Sequence, residues 1–327
     1  NTFPTVSELA EPELRIAGLR INPNNFAQSR MTTLAGMSLK DLSTLKEFPI
    51  KGLPANLRAT SIQWSPSQNK IAFVNLTYDT VDLYVIDIAT FTASKINKFP
   101  VNIVTGGTFA WINDNSLIYK AVVEGELKPV KPLAPKGPVI QESLGKKAAA
   151  RTYQDLIKSG YDEALFEYYA KSQMIFTDLT KETKIGEPAI YRSFSVSPDQ
   201  NYLLIQTIDK PYSYTVPAYE FPHTAFVTDM SGKLIRKIAV NPSSEGVPIG
   251  FDDSPDFPRN FSWRNDEPAT VTYVKALDGG LGKSKSEWRD ALMAIKISTS
   301  DTEAAAKELF KTTMRFKGVT WGNINIA

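Results

Sequence analysis

A loose internal repeat constrains this chain more than any other feature. Each copy opens on an aromatic or apolar slot residue, passes through a short polar turn and enters an alternating apolar segment. Trp64-Ser-Pro-Ser-Gln-Asn-Lys leads into Ile71-Ala-Phe-Val-Asn-Leu, and Trp111-Ile-Asn-Asp-Asn into Ser116-Leu-Ile-Tyr-Lys-Ala-Val-Val. Val196-Ser-Pro-Asp-Gln-Asn leads into Tyr202-Leu-Leu-Ile-Gln-Thr-Ile, and Trp263-Arg-Asn-Asp-Glu-Pro into Ala269-Thr-Val-Thr-Tyr-Val. A last copy starts at Trp321, so four of the five tryptophans share one slot. The Ser, Pro, Asn and Asp residues after the slot favour tight reversals. The alternating segment then reads as a half-buried strand. A further strand with an Asp- or Gly-bearing turn follows, as in Asp82-Leu-Tyr-Val-Ile-Asp-Ile-Ala-Thr and Thr224-Ala-Phe-Val-Thr-Asp-Met-Ser-Gly. Copies start 47 residues apart from Trp64 to Trp111 and 58 apart from Trp263 to Trp321, against roughly 40–50 for a four-stranded propeller blade. The expected fold is all-β: a β-propeller of four-stranded antiparallel blades over residues 1–327, incomplete here because the last copy stops as it begins.

One interval breaks the pattern. From Trp111 to Val196 there are 85 residues, and the excess is read as an insertion within a blade over about 128–171. Its first part, Lys128-Pro-Val-Lys-Pro-Leu-Ala-Pro-Lys-Gly-Pro, is expected to be extended, because proline fixes φ and removes a donor. Its second part, from about Ala148 to Lys171, predicts two short helices hinged at Ser159-Gly160, with Phe166, Tyr169 and Ala170 on one face. Thr302-Glu-Ala-Ala-Ala-Lys-Glu-Leu-Phe-Lys suggests another short helix or the tail of a blade.

Composition narrows the function classes. The 37 Lys+Arg against 35 Asp+Glu are interspersed, and the net charge of +2 gives no phosphate-tracking surface, so no nucleic-acid partner is expected. No apolar run approaches the ~20 residues of a membrane span. There is no cysteine, which excludes disulfides, thiolate metal sites and cysteine nucleophiles. The chain opens Asn1-Thr-Phe-Pro without an initiator Met or a secretory segment, so a leader is expected to be cleaved or to lie outside this sequence.

Catalytic constellations are missing from the sequence. No Gly-x-Ser-x-Gly elbow is present. The single histidine, His223 in Phe221-Pro-His-Thr, would have to serve any Ser-His-Asp relay, and no nucleophile stands near it in sequence. It reads as a strand-edge or loop residue. One histidine also excludes a histidine-based metal centre, and no cofactor is expected. Asp252-Asp253-Ser-Pro-Asp256 lacks the spacing of a calcium loop and reads as a solvated turn. Gly279-Gly-Leu-Gly-Lys lacks phosphate-loop spacing and reads as a flexible hairpin.

Several stretches resemble the N-terminal domain of glutamyl endopeptidases, a branch of the prolyl oligopeptidase family. They are Glu13-Leu-Arg-Ile-Ala-Gly-Leu-Arg-Ile-Asn-Pro with Gln28-Ser-Arg-Met, Lys131-Pro-Leu-Ala-Pro-Lys-Gly-Pro-Val-Ile-Gln, Arg151-Thr-Tyr-Gln-Asp-Leu, Tyr161-Asp-Glu-Ala-Leu-Phe-Glu-Tyr-Tyr-Ala, and Lys210-Pro-Tyr-Ser-Tyr-Thr-Val-Pro with Phe221-Pro. The resemblance covers nearly the whole chain in order. It implies a serine peptidase in which a propeller caps a C-terminal α/β-hydrolase domain of the same polypeptide, with peptide reacting between them. That catalytic domain is absent from this chain, which alone should show no peptidase activity. A periplasmic or secreted location also follows from the resemblance. Two groups of substrate-binding candidates emerge. Lys210, Tyr212, Ser213 and Tyr214 combine a cation with hydroxyl donors for an acidic side chain. Asp162 and Glu163, with neighbouring Arg151, sit where dipeptidyl peptidase relatives hold a substrate amino terminus. The other classes considered are a free-standing propeller that binds protein or peptide, and a sugar-cleaving propeller enzyme, which would need paired carboxylates at its channel.

Overall fold

The computed structural model describes residues 6–133, 152–247, 250–300 and 304–322. Elements are numbered along the chain. A helical turn, α1 (Val6–Leu9), precedes a three-stranded sheet of β1 (Leu14–Ile16), β2 (Leu19–Asn22) and β3 (Ala27–Gln28), then a hairpin of β4 (Ser38–Lys40) and β5 (Glu47–Pro49). Four four-stranded sheets follow, each an antiparallel meander in sequence order. Blade 1 is β6 (Ala59–Trp64), β7 (Lys70–Leu76), β8 (Val81–Asp87) and β9 (Thr92–Lys95). Blade 2 is β10 (Phe109–Asn113), β11 (Ser116–Val122), β12 (Ser172–Thr177) and β13 (Glu182–Ala189), with helix α2 (Gly160–Ala170) before β12. Blade 3 is β14 (Tyr191–Val196), β15 (Tyr202–Ile208), β16 (His223–Asp229) and β17 (Leu234–Asn241). Blade 4 is β18 (Arg259–Trp263), β19 (Thr270–Ala276), β20 (Asp290–Lys296) and β21 (Lys307–Thr312). These are the expected β-propeller blades, and the slot residues Trp64, Val196 and Trp263 each close a first strand. No helix among the described residues is long and apolar enough to cross a membrane.

The chain divides into two compact units, Asn1–Pro129 with Ala164–Ile190, and Val130–Glu163 with Tyr191–Ala327. In the first unit β7 shows why the repeat carries so apolar a strand. Its side chains alternate between two cores: Ala72, Val74 and Leu76 pack with Leu83, Leu117 and Tyr119, while Ile71 and Phe73 pack with Ile50, Leu57 and Ile86. Both faces are therefore covered, and each fully buried aliphatic side chain contributes about 1.5–3 kcal/mol. In the second unit Leu204 and Val227 of blade 3 pack on Trp263, Val271 and Ile295 of blade 4.

The tryptophan slot has a polar reason as well. Trp263 Nε1 donates to the Ser195 carbonyl at 3.1 Å, and Trp111 Nε1 donates to the Gln63 carbonyl at 3.4 Å. Each acceptor is the residue just before the slot of the preceding blade. The indole thus ties neighbouring blades within a unit while filling space between them. The turn after the slot is equally stereotyped. Ser65 and Ser197 both accept the backbone N–H three residues on, and their hydroxyls accept the first N–H of the next strand, from Lys70 at 3.1 Å and Tyr202 at 3.0 Å. Gln68 and Gln200 take the left-handed conformation there, at φ 59° and 64°. Between third and fourth strands, Asp87, Asp178 and Asp229 each accept backbone N–H bonds across the turn. Bonds from the Thr180 side chain and backbone hold the Asp178 carboxyl down at about 2.

Within the insertion the helical reading changes, and near the end of the chain one of two readings is decided. Residues 152–159 are not helical, so the two-helix reading reduces to α2 alone. Ser159 starts that helix by accepting the Asp162 N–H at 3.2 Å, which makes the supposed hinge an N-cap. The Thr302–Lys311 segment forms no helix among its described residues; β21 pairs with β20 instead, as the tail of a blade. Trp321 lies in no strand among the described residues, and its ring covers Arg264 at 4.6 Å.

Two buried charges brace the sheets. Lys120, fully buried on β11, donates to the carbonyls of Thr105 and Gly106, both at 2.6 Å, and so fixes the 102–108 loop. Burial pushes its ammonium down to about 7. In blade 4, Asp290 accepts from Arg259 at 2.6 Å and from the Phe316 N–H at 2.7 Å, while Arg315 bridges Asp278 and Asp290.

The tie between blades makes the slot residues unequal, since Trp64 is 50% exposed and Trp263 only 6%. Trp263→Ala is expected to cost about 3–5 kcal/mol, and Trp64→Ala less than about 1 kcal/mol, in urea melts of the purified chain. Equal losses would remove the inter-blade role of the slot.

Candidate functional site

The two groups of residues singled out in the sequence meet in the structure. The 210–217 loop leaves β15 and runs through a 3-10 turn, Ala218–Glu220, into β16. Segment 152–163 lies against it. Tyr153 donates to Glu220 at 2.6 Å, and the Tyr214 hydroxyl lies near the Glu163 carboxylate. Burial, reinforced by that carboxylate and by Asp162 beside it, pushes the Tyr214 phenol up to about 12. Asp162 accepts the Lys158 N–H at 2.8 Å, and both acids occupy the first turn of α2, where the helix dipole favours negative charge.

The loop residues divide by role. Lys210 is exposed, follows β15 at a cis Lys210–Pro211 bond, and holds its ammonium 5.6 Å from the centre of the Tyr212 ring. Tyr212 is buried and stacks on Phe221 at 5.5 Å. Ser213 is buried too. Its hydroxyl accepts the backbone N–H groups of Thr215 and Val216 at 2.9 and 3.2 Å and donates to Glu245 at 2.6 Å. Tyr212 and Ser213 therefore hold the loop in shape, while Lys210, Tyr214, Asp162 and Glu163 present charge and hydroxyl at its surface. Arg151 lies outside the described residues.

His223, read from sequence as a strand-edge or loop residue, belongs to a second cluster that the sequence did not show. His223 opens β16 and is buried. Its Nδ1 lies 3.2 Å from the Phe221 carbonyl and its Nε2 lies 2.9 Å from Asn241 Nδ2, which also donates to the Pro258 carbonyl at 2.7 Å. Those partners require a neutral ring that donates from Nδ1 and accepts at Nε2. Burial and the nearby Arg192 cation lower the His223 pKa. Asp209, also near, is occupied by the Thr207 and Thr224 hydroxyls at 2.9 and 2.6 Å. A groove of about 370 Å³ lies elsewhere on blades 3 and 4, lined by Ser193, Ser195, Gln206, Phe261, Ser262 and Asn265 among others.

The remaining motifs have structural roles. Asp253 accepts the Gly282 N–H at 2.7 Å, and the Ser254 N–H donates to the Gly280 carbonyl at 2.9 Å, so the acidic turn and the glycine-rich hairpin pin one another. A β-carbon at Gly280, at φ 75°, would strike the Ser254 carbonyl. Among the described residues no group of three His, Asp or Glu side chains stands together to hold a metal.

Comparison with known proteins bears on this arrangement. The chain is 32% identical over 341 residues to a rice (Oryza sativa subsp. japonica) protein named "Probable glutamyl endopeptidase, chloroplastic", with 99% of this chain aligned. This is a glutamyl endopeptidase-like chain. An Arabidopsis thaliana protein of the same name is 31% identical, again over 99% of the chain. The glutamyl endopeptidase-like chain spans about a third of those relatives, 36% and 35% of their lengths. Among solved structures, Pyrococcus horikoshii acylaminoacyl peptidase is similar at TM-score 0.43 and 11% identity, covering 78% of this chain and 32% of that one. The β-propeller domain of the trilobed protease from Pyrococcus furiosus is similar at TM-score 0.41 and 11% identity, covering 77% and 56%. No protein-family model matches the chain.

The His223 environment sets a pH dependence. The ring is neutral in the folded chain at pH values where the unfolded chain, near 6.5, binds a proton. Its contribution to stability is thus complete above about pH 6.5 and is lost as pH falls through the lower folded value. NMR of the single histidine should give a midpoint below 6.5, and urea melts should show stability falling with acid over the same range. A midpoint above 6.5 would contradict the assigned tautomer and its two bonds.

Proposed function

We propose that this chain is the propeller portion of a prolyl oligopeptidase-family serine peptidase of the glutamyl endopeptidase kind, limiting substrate access and contributing contacts to bound peptide. The observation that carries the reading is the meeting of Tyr214 with Asp162 and Glu163 beside exposed Lys210. Alignment of 99% of the chain with relatives of which it spans about a third supports a larger parent. In this reading the partner is a C-terminal α/β-hydrolase domain of the same polypeptide, which supplies the Ser-Asp-His triad. The chemistry occurs there, and the propeller acts through exclusion and positioning.

The roles follow from charge. Glu163 and Asp162 receive the protonated amino end of a peptide beside the Tyr214 hydroxyl. Lys210, exposed and held over Tyr212, attracts acidic peptides over a distance that salt shortens. A periplasmic or secreted setting belongs to the same reading and rests on the sequence resemblance; the two curated relatives are named chloroplastic.

In the full-length peptidase, Glu163→Gln is expected to raise KM about 3–10-fold for peptides with a free amino end, the range of a hydrogen bond to charge, and to leave blocked peptides unchanged. Lys210→Ala should lower kcat/KM for acidic peptides only at low salt. Equal effects of Glu163→Gln on free and blocked peptides would assign Glu163 to folding instead.

A further inference from the structure

Blades 3 and 4 repeat one another closely enough to serve as controls for each other. The slot residues Val196 and Trp263 each pair with the second residue of the next strand, Leu203 and Val271. Counting back four residues from each slot gives Arg192 in blade 3 and Arg259 in blade 4. The first residue of the third strand is His223 in blade 3, paired with Ile208, and Asp290 in blade 4, paired with Ala276. By count from the slot both blades therefore carry an arginine, although Arg259 is paired with Val274 whereas Arg192 stands unpaired beside the Ser193–Gln206 pair; the acid that opens the third strand in blade 4 is a histidine in blade 3.

The consequence is visible at the guanidinium. Arg259 donates to the fully buried Asp290 at 2.6 Å. Arg264, Arg289 and Arg315 of the same unit also pair with carboxylates. Arg192 pairs with none among the described residues; its Nη1, like those of Arg236 and Arg259, is buried without a hydrogen-bond partner, so the difference from blade 4 is the missing carboxylate. Asp209, the acid near His223, is bound by two threonine hydroxyls. Arg192 is also the extra residue of a bulge, between the pairs Tyr191–Thr207 and Ser193–Gln206. Bulges re-aim side chains and recur beside functional sites. Burial without a countercharge lowers the Arg192 pKa, as burial and the Arg192 cation lower that of His223.

We infer that Arg192 is a carboxylate-binding residue that receives an acidic side chain of a bound peptide, the counter-ion that Asp290 supplies to Arg259. This rests on the reading of the chain as a peptide-contacting propeller, and names the residue that discriminates glutamyl from neutral peptides. A partly desolvated guanidinium is suited to the task. Its planar fork matches a carboxylate, and a neutral isostere leaves it without a countercharge. Ser193 follows it directly and lines the groove between β14 and β18. Lys210, by contrast, is exposed and offers only screened attraction.

The test is NMR titration of the 327-residue chain with two blocked tripeptides, acetyl-Ala-Glu-Ala-amide and acetyl-Ala-Gln-Ala-amide. The glutamyl peptide should bind about tenfold or more tighter. It should also raise the His223 titration midpoint, because the bound anion offsets Arg192. Arg192→Gln should erase the preference. His223→Asp should erase it too while folding normally, since it gives Arg192 an internal carboxylate as in blade 4. Equal binding of the two peptides by the unaltered chain, or a preference that survives Arg192→Gln, would overturn the assignment while sparing the peptide-contact reading. Failure of both peptides to bind would overturn both.

Discussion

Each four-stranded sheet in this chain presents two apolar faces, and the structure rests on covering both. β7 shows the demand most plainly, with Ala72, Val74 and Leu76 in one core and Ile71 and Phe73 in another. A meander alone covers neither face, so blades must lie against neighbours within their unit. The indole bonds from Trp111 to Gln63 and from Trp263 to Ser195 set the lateral position of one blade on the next. The serine-capped turns after the slot then start the following strand at a fixed place.

Repetition of this plan frees particular positions to differ. Blade 4 closes the site at Arg259 with Asp290, and adds Arg315 and Asp278 to a largely desolvated charge network. Such networks hold geometry more than they add stability. Blade 3 keeps the arginine and changes its partner to a neutral histidine bonded to Asn241. The 210–217 loop is built differently, with Ser213 and Tyr212 forming its interior so that charged residues stay at its surface. One rigid repeat can therefore hold both a closed salt bridge and an open cation.

Much of the fold was legible in the sequence because strand period and turn chemistry agreed. The second strands fall where the alternating segments after Trp64, Trp111, Val196 and Trp263 placed them. The Ala-rich 302–311 stretch read equally as a helix or the tail of a blade, and the hydrogen bonds that β20 offers to β21 decide for the tail. Residues 152–159 misled because Tyr153 is drawn to Glu220, a partner 67 residues away that no local window contains. The candidate site was half legible. Lys210, Tyr214, Asp162 and Glu163 were picked out as separate groups, and only the fold joins them. Tyr212 and Ser213 carry suitable chemistry but turn it inward. Arg192 was missed because its meaning depends on what stands opposite it two strands away, though the offset from the slot to Arg259 was there to be read.

The indole tie between blades is the account's central claim, and hydrogen exchange of the tryptophan side-chain N–H groups addresses it most directly. The account expects the Trp263 indole to exchange as slowly as backbone amides of β15 and β19, with Trp64 exchanging freely. Trp263 and Trp64 exchanging at the same fast rate would contradict it.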